Sequence, residues 1–258
     1  METSPPIPDS DLKPTQTTLW SRLLNVFAAP GDVFEEVKDS APTAANWLAP
    51  TLIFALVGVI SSFVIFSQPA IVQQIHEKQQ KAFDQQVSAG KMTQAQADQA
   101  MAMTEKFTGP GTLKIFGAVG AVFGSFIRLF WWAFILWLLS LLLLKVKIPF
   151  LKVTEVVGLA TMISVLGAIV TVLMTVIFGK LGATPSLALA IGNFDSKNKI
   201  HLLLGAANMF SFWQIGVFAC GLARLAGAPF TKTLLVIALY WIAITLLFIF
   251  IGFGQMAM

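Results

Sequence analysis

Two long runs without a fixed charge, near the carboxyl end of the chain, limit its fold most strongly. Residues 200–223 contain no Asp, Glu, Lys or Arg, and residues 233–258 contain none either. Between these runs, Arg224 and Lys232 flank a short turn that contains Pro229. About twenty apolar residues are enough for a helix to cross the hydrocarbon core of a bilayer. The two runs therefore predict a hairpin of transmembrane helices.

The composition places the whole chain in the same class. Of its 258 residues, 56% are hydrophobic and 12% are charged, and the mean hydropathy is +0.77, which lies outside the range of soluble domains. Since no basic run interleaves with aromatic residues, the net charge of +4 is explained by Lys and Arg at helix ends, and we expect no nucleic-acid partner. The single cysteine, Cys220, excludes an internal disulfide and a metal cluster built on thiolates.

The sequence predicts an all-α polytopic membrane protein, a bundle of five transmembrane helices. Residues 1–18 are rich in proline and acidic, and we expect a disordered tail. Residues 19–46 predict amphipathic helices in the headgroup region with Trp20 as an anchor; helices packed on the protein's own loops are the alternative. The transmembrane domain covers residues 47–253. Its spans are expected at about residues 47–67, 112–144, 153–178, 201–223 and 233–253.

Residues 68–108, between the first two spans, differ in composition from the rest. They are rich in Gln and Ala and carry both signs of charge, which favours helix in water. We expect an extramembrane helical hairpin that turns at residues 88–90, and it is either a partner-binding or lumen-sensing element or a folded connector. In the following span, Gly120 and Gly124 have the GxxxG spacing that allows close contact between helices.

Arg128 is a charge inside the second predicted span. An arginine at mid-bilayer costs roughly 2.5–3.5 kcal/mol on insertion scales, which the surrounding apolar residues outweigh. Counting back from Lys145 places Arg128 near the opposite interface, where it could snorkel to lipid phosphate. Binding of an anionic ligand or lipid is the alternative function of this residue.

The fourth predicted span carries a polar arc. Asn208, Ser211 and Gln214 fall on this arc, beside Trp213. We interpret the arc as a source of hydrogen bonds between helices, with a buried ligand site as the alternative. With Arg128, these four residues are the candidate positions for lipid, ligand or helix packing.

No enzymatic chemistry is predicted. Intramembrane enzymes need paired aspartates, a Ser with a His, or a metal set within their spans. The predicted spans have no Asp or Glu well inside them, and His76 and His201 lie in or beside loops without clustered partners. We therefore assign no catalytic, cofactor-binding or metal-binding residue, and we expect no cofactor.

Four segments together resemble a known family. They are the lead-in with Pro30, Phe34 and Val37, the opening NWLAPTLI of the first span, the segment FLKVTEVVGLAT, and FSFWQIGVFACGLARLAG in the fourth span. The chain is similar to the bacterial branch of the Yip family of five-span membrane proteins, whose eukaryotic members interact with Rab GTPases. The resemblance implies five helices, a cytoplasmic amino terminus and a carboxyl terminus across the membrane. It does not imply the polar hairpin.

These observations favour a membrane-organising or adaptor protein of the bacterial cytoplasmic membrane. The alternative is a channel, or a carrier of small molecules or lipids, with a polar groove between spans two, three and four. Such a groove would bring Arg128, Asn208, Ser211 and Gln214 to one cavity, whereas an adaptor would have a dry core. The expected partners are the lipid bilayer and other proteins, or copies of the same chain, bound through transmembrane helices.

Overall fold

In the computed structural model, residues 17–192, 194–195 and 197–251 are described. These residues form ten α-helices and one short 3-10 helix, Leu187–Ala190, and no strand, which confirms the predicted all-α class. Most of the predicted tail lies outside the described residues. Its last two residues are ordered: Thr18 Oγ1 accepts a hydrogen bond from Ser21 N and caps the first helix.

Two short helices, α1 (Leu19–Ala28) and α2 (Pro30–Asp39), precede the first span. Pro30 occupies the first turn of α2, where its fixed φ favours a helix start. Each helix packs one apolar face against the rest of the protein, and the residues on these faces are almost fully buried: Leu23, Val26, Val33, Phe34 and Val37. On these faces, α1 and α2 therefore pack on the protein itself.

The chain continues through α3 (Ala45–Ile65), α4 (Pro69–Ser88), α5 (Gln94–Thr108), α6 (Pro110–Leu142), α7 (Phe150–Phe178), α8 (Lys199–Ala206), α9 (Met209–Ala226) and α10 (Phe230–Ile251). Five of these helices, α3, α6, α7, α9 and α10, are long and apolar enough to cross a membrane. This is the predicted number of spans. The successive spans run in alternating directions, so that α1 and α2 lie at one end of the bundle and α4 and α5 at the other.

The fourth span begins later than residue 201, where the sequence predicted its start. The apolar run is divided into α8 and α9, because residues 207 and 208 leave the helical conformation. At this break the backbone pairs with the preceding loop: Met209 N donates to Pro185 O over 3.2 Å, and Leu187 N donates to Ala207 O over 3.2 Å. The sequence predicted one continuous span because the run carries no charge. The break depends on backbone pairing with the preceding loop, which the absence of charge does not indicate.

The predicted helical hairpin between the first two spans is present as α4 and α5. Gly90, with φ of +67°, lies in the turn between them. Thr93 and Gln96 form a capping box at the start of α5. Most of the hairpin is exposed, and Ile71 is the one residue of α4 that is buried.

α7 is the central helix of the bundle: half of its most apolar window is buried, against 11% for α10. Gly158 of α7 lies so close to Trp47, in the first turn of α3, that a side chain there would overlap the Trp47 backbone. Since Gly158 is eight positions into α7, this helix begins about 12 Å before the level of Trp47. Val26, Phe34 and Val156 all belong to the main buried core. α1 and α2 thus occupy the space above the start of α3.

The close contact between α3 and α6 is not made by the predicted GxxxG pair. No atom lies within 4 Å of a Cβ built on Gly120 or Gly124. A Cβ on Gly117 would instead lie 2.8 Å from Ser62 Oγ, and a Cβ on Gly58 would lie 2.7 Å from Ala121 Cβ. The contact forms where small residues spaced by four occur on both helices, at Gly58 and Ser62 on α3 and at Gly117 and Ala121 on α6.

Candidate functional site

Arg128 points into the bundle from near the middle of α6. Its Nη2 donates hydrogen bonds to Ser164 Oγ over 2.7 Å and to Gln214 Oε1 over 2.6 Å. Ser164 Oγ also donates to Gln214 Oε1 over 3.0 Å. The guanidinium lies over the Phe54 ring, 5.1 Å from its centroid. Four of the five candidate spans, α3, α6, α7 and α9, therefore meet at this arginine.

The inward direction of Arg128 does not favour the snorkelling interpretation. That interpretation assumed that the crossing part of α6 begins near Ser125, about twenty residues before Lys145. However, α3 packs beside α6 as early as Gly117, and α6 extends to Leu142. Arg128 is thus distant from both ends of the helix, and its Nη2 donates to side chains of neighbouring helices.

The other predicted site residues do not converge on this cluster. Asn208 caps α9, where its Oδ1 accepts a hydrogen bond from Phe210 N over 2.9 Å. Ser211 is half-buried in the first turn of α9. Trp213 stacks on the Phe210 ring at 6.3 Å and meets the Phe27 ring of α1 edge-on at 5.9 Å. Of the residues on the predicted polar arc, Gln214 is the one whose side chain contacts Arg128.

A second polar cluster, missed at the level of sequence, surrounds Glu155 in the second turn of α7. The Glu155 side chain is fully buried. Its Oε1 accepts hydrogen bonds from Thr43 N over 2.8 Å and from Asn46 Nδ2 over 3.0 Å, and its Oε2 lies 3.3 Å from Lys152 Nζ. Glu155 therefore ties the start of α7 to the start of α3.

Lys152 connects the same cluster to α2. Its ammonium donates to Val37 O and, over 2.6 Å, to Ser40 O. These carbonyls belong to the last turn of α2 and its C-cap, where helix carbonyls have no partner within the helix and where a cation is favourable. Lys152 is 7% exposed, so this contact is shielded from water and from salt.

Arg22 extends the cluster to α1. Its Nη1 donates to Asn46 Oδ1 over 3.4 Å, and its Nε lies 3.3 Å from Glu36 Oε2. Thr17 Oγ1 also donates to Glu36 Oε2. We call the connected set of Thr17, Arg22, Glu36, Asn46, Lys152 and Glu155 the buried charge network. It joins α1, α2, α3 and α7 through polar side chains alone.

Sequence reasoning missed this network for a simple reason. Lys152 directly precedes the third predicted span, residues 153–178, and Glu155 is the third residue of that span, so neither lies well inside it. The signal that could have found it is the spacing of the two, since residues three apart on a helix face each other. A carboxylate next to a lysine at the mouth of a span favours a buried pair.

Two glycines allow the surrounding helices to approach the network closely. A side chain at Gly221 of α9 would overlap Val156 of α7 and would lie 3.1 Å from the Phe34 ring of α2. Gly158 has the same role against α3. The close packing of α2, α3 and α9 on α7 is therefore part of the site.

The comparison with known families decides what kind of protein carries this architecture. A family model described as the Yip1 domain matches residues 24–253, which is most of the chain. The chain belongs to the Yip1 family. No curated protein matches it, and no solved structure matches it.

The Yip1 match takes in all five candidate spans and most of the buried charge network. Glu36, Asn46, Lys152 and Glu155 lie within the matched range, and Arg22 lies just before it. Among the described residues, no group of three or more His, Cys, Asp or Glu side chains is placed to hold a metal ion. The network consists of matched charges and hydrogen bonds, an arrangement suited to holding helices together.

Proposed function

We propose that this Yip1 family member is a non-enzymatic membrane-organising or adaptor protein whose α1 and α2 act in one leaflet of the bilayer. The observation that carries this proposal is the outer face of α1. Trp20 is 69% exposed and Leu24 is 66% exposed, although the opposite face of the same helix is buried in the core. A helix at the end of a bundle that presents Trp and Leu outward is suited to the interfacial region of a membrane.

The buried charge network supports this role because it fixes α1 and α2 relative to the spans. An amphipathic helix on a flexible tether adjusts its depth to the lipid, whereas a helix held by buried contacts imposes its position on the lipid. Since α1 and α2 lie at one end of the bundle, the volume that these two helices add to the bilayer is confined to one leaflet.

The carrier alternative has less support. It requires Arg128, Asn208, Ser211 and Gln214 to line one cavity, and in the structure they are divided among a mutually bonded cluster, a helix cap and a half-buried turn. Arg128, Ser164 and Gln214 bond to one another, which favours a structural role in helix packing.

We also propose that the end with α1 and α2 faces the cytoplasm of a bacterial cell. Its short loops and helix ends contain Lys145, Lys147, Arg224 and Lys232, and short cytoplasmic loops are enriched in Lys and Arg. Cysteines placed at Gly90 and Gly192 should react with a membrane-impermeant thiol reagent added outside intact cells, and a cysteine at Lys147 should not. The opposite labelling pattern would reverse the orientation.

The membrane-organising role can be tested with the full-length protein reconstituted into liposomes at increasing protein density. Wild-type protein should shift the vesicles towards smaller diameters or tubules, measured by cryo-electron microscopy. Trp20→Ala/Leu24→Ala should abolish the shift. The matched control, Leu235→Ala/Leu239→Ala, removes similarly exposed apolar side chains from α10 and should keep it. Vesicles of unchanged shape with wild-type protein would refute the role.

The carrier alternative makes a separate prediction about water. In a Cys220→Ser background, a cysteine at Ser164 should remain unmodified by a water-soluble maleimide from either side of the liposome. Fast modification would show a hydrated path to the Arg128 cluster and would favour the carrier.

A further inference from the structure

A cavity of about 480 Å³ lies between α2 and the turn that joins α9 to α10. Its lining includes the charged side chains of Glu35, Lys38 and Arg224, together with Cys220 and Phe230. This volume is within the range of about 300–1,000 Å³ that is usual for small-molecule sites. The cavity is separate from both the Arg128 cluster and the buried charge network.

The charged groups of the cavity leave several hydrogen-bond donors free. Lys38 Nζ donates to Glu35 Oε1 over 2.7 Å, and Arg224 Nη1 lies 3.5 Å from Glu35 Oε2. An ammonium has three donors and a guanidinium has five, so each cation keeps donors for another acceptor. The two cations and one carboxylate of the lining give it a net charge of +1, which suits a ligand group with one negative charge; Asp32 and Asp39 lie near the lining and add to the repulsion of a group with two. A group with two negative charges would be opposed by Glu35.

Gly31 contributes to the shape of this region. A Cβ at Gly31 would lie 3.3 Å from Arg224 Nη2 and 3.9 Å from Cys220 Sγ. The absence of a side chain at Gly31 therefore allows the guanidinium to lie against α2 beside the thiol. A larger residue would displace Arg224 from the wall of the cavity.

The surface next to the cavity is suited to acyl chains. Phe230, on the cavity wall, is the first residue of α10, and only 11% of the apolar window of this helix is buried in the protein. Phe230, Leu235 and Leu239 are 48%, 57% and 64% exposed. An apolar surface of this kind, in a transmembrane helix, contacts lipid.

We propose that this cavity binds the phosphodiester group of a membrane phospholipid, with Arg224 and Lys38 donating to the phosphate oxygens and the acyl chains lying along α10. A phosphodiester carries a single negative charge, which matches the net charge of the three charged side chains in the lining. Arg and Lys both bind phosphate, Arg through paired N–H groups. The cavity lies at the start of α10, a helix whose apolar surface is mostly exposed, and this position favours a lipid over free phosphate. This site does not depend on the membrane-organising role, since a lipid can occupy it whether or not the protein changes vesicle shape.

Cys220 provides a test that needs no substitution, because it is the only cysteine of the chain and lies on the cavity wall. The full-length protein, in lipid-free detergent, is reacted with a small thiol reagent, and the modification rate of Cys220 is measured against added ligand. Dioctanoyl phosphatidylglycerol should slow the modification in a saturable manner. Dioctanoylglycerol, which lacks the phosphate, and inorganic phosphate, which lacks the chains, should not.

Two variants and a matched control identify the residues that bind. Arg224→Gln should raise the lipid concentration needed for protection by about tenfold, since it removes charge-assisted hydrogen bonds. Lys38→Gln should act in the same direction and serves as the second test if Arg224→Gln fails to fold. Lys232→Gln removes the same charge from the other side of the turn, outside the cavity, and should leave protection unchanged.

Three results would overturn the proposal. Equal protection by dioctanoylglycerol would mean that the contact is apolar only, and equal protection by inorganic phosphate would mean a site for free anions. Protection that is the same in wild-type, Arg224→Gln and Lys38→Gln protein would place the lipid elsewhere. Saturable protection by the phospholipid that is weakened by both variants and kept by Lys232→Gln would establish the site.

Discussion

Each end of the bundle carries a pair of helices, and the two pairs are attached to the bundle very differently. α1 and α2 bury their apolar faces in the main core, where Val26, Phe34 and Val37 are completely shielded from solvent. In the hairpin at the other end, α4 buries Ile71, and α5 buries Ala97 and Thr108. Both pairs were recognised in the sequence as helices outside the spans, yet only the first is part of the core.

The polar contacts show the same difference. α1 and α2 are held by the buried charge network, in which Glu155 is fully buried. The α4–α5 hairpin is held through Gln74, which donates to Gly179 O over 2.7 Å and accepts from Leu181 N over 3.1 Å, and through an exposed contact of Lys197 Nζ with Gln85 Oε1 at 3.0 Å. An amphipathic pattern therefore predicts only that a segment is helical. Buried charged side chains near a span indicate in addition that the helix is attached to the bundle.

The largest expected effect is the difference in stability between two variants, each of which lacks one of the helix pairs. Removing residues 17–40 should destabilise the protein by more than about 5 kcal/mol, because it uncovers the core and removes the two carbonyls, Val37 O and Ser40 O, that accept hydrogen bonds from the buried Lys152. Replacing residues 70–107 by a short Gly-Ser linker should preserve a folded bundle, since Pro69 and Pro110 line one cavity and are therefore close together. Thermal unfolding in detergent measures both variants. Equal loss of stability would remove the distinction between the two ends.

The next effect concerns the ion pair itself. Lys152→Met should cost about 3–5 kcal/mol, because it leaves the buried Glu155 carboxylate without its cation. The double variant Lys152→Met/Glu155→Gln should recover much of this loss, since no unpaired charge remains. Lys147→Met, on an exposed lysine of the neighbouring loop, is the control and should be neutral. A single variant as stable as the control would mean that the network does not hold α2.

Packing at the first end can be tested within one helix. Gly221→Ala should destabilise the protein by about 1–3 kcal/mol, because the new methyl group overlaps Val156 and approaches Phe34. Gly216→Ala, in the same helix, meets no atom within 4 Å and should be neutral or slightly stabilising, as Ala favours helix over Gly. Both are compared by thermal unfolding, and the reverse order would contradict the packing described for α9.

The Arg128 cluster, between the two ends, shows whether every buried charge stabilises helix association. Gln214→Leu should cost about 1–2 kcal/mol, since it removes an acceptor from a guanidinium inside the bundle. Arg128→Leu should be close to neutral, because it also removes the cost of placing a charge there and leaves Ser164 bonded to Gln214. If Arg128→Leu were the more damaging of the two in unfolding assays, Arg128 would have a role beyond packing.

The smallest effect is expected at the exposed charges of α2. A hydrogen bond from Lys38 lowers the pKa of Glu35 below its ordinary value of 4.5, and the same bond raises the pKa of Lys38 above 10.5. The contribution of the pair is therefore lost only as the pH falls through the lowered pKa of Glu35 or rises through the raised pKa of Lys38. Stability should show no dependence on this pair between about pH 6 and about pH 9. Profiles of wild-type and Glu35→Gln protein that diverge in that window would contradict this.

The sequence was sufficient for the features that depend on composition. Runs without charge predicted five spans, and the Gln- and Ala-rich segment predicted a helical hairpin. It was insufficient where a side chain finds its partner across the fold. The direction of Arg128 depends on Ser164 and Gln214, and the partners of Lys152 lie on α2, 112 and 115 positions away along the chain. Such pairings follow from tertiary packing. The periodicity of apolar residues along the sequence does not show which side chains meet across the fold.

That separation along the chain sets an order of events during synthesis. α2 leaves the ribosome long before Lys152 exists, because Val37 and Lys152 are 115 positions apart. At a translation rate of about 5–20 residues per second, the wait is about 6–23 s. During this time α1 and α2 are without most of the contacts that later hold them: the third span brings Lys152, and the fourth brings Gly221 against Phe34 and Trp213 against Phe27. The first helices to be made are thus among the last to be fixed.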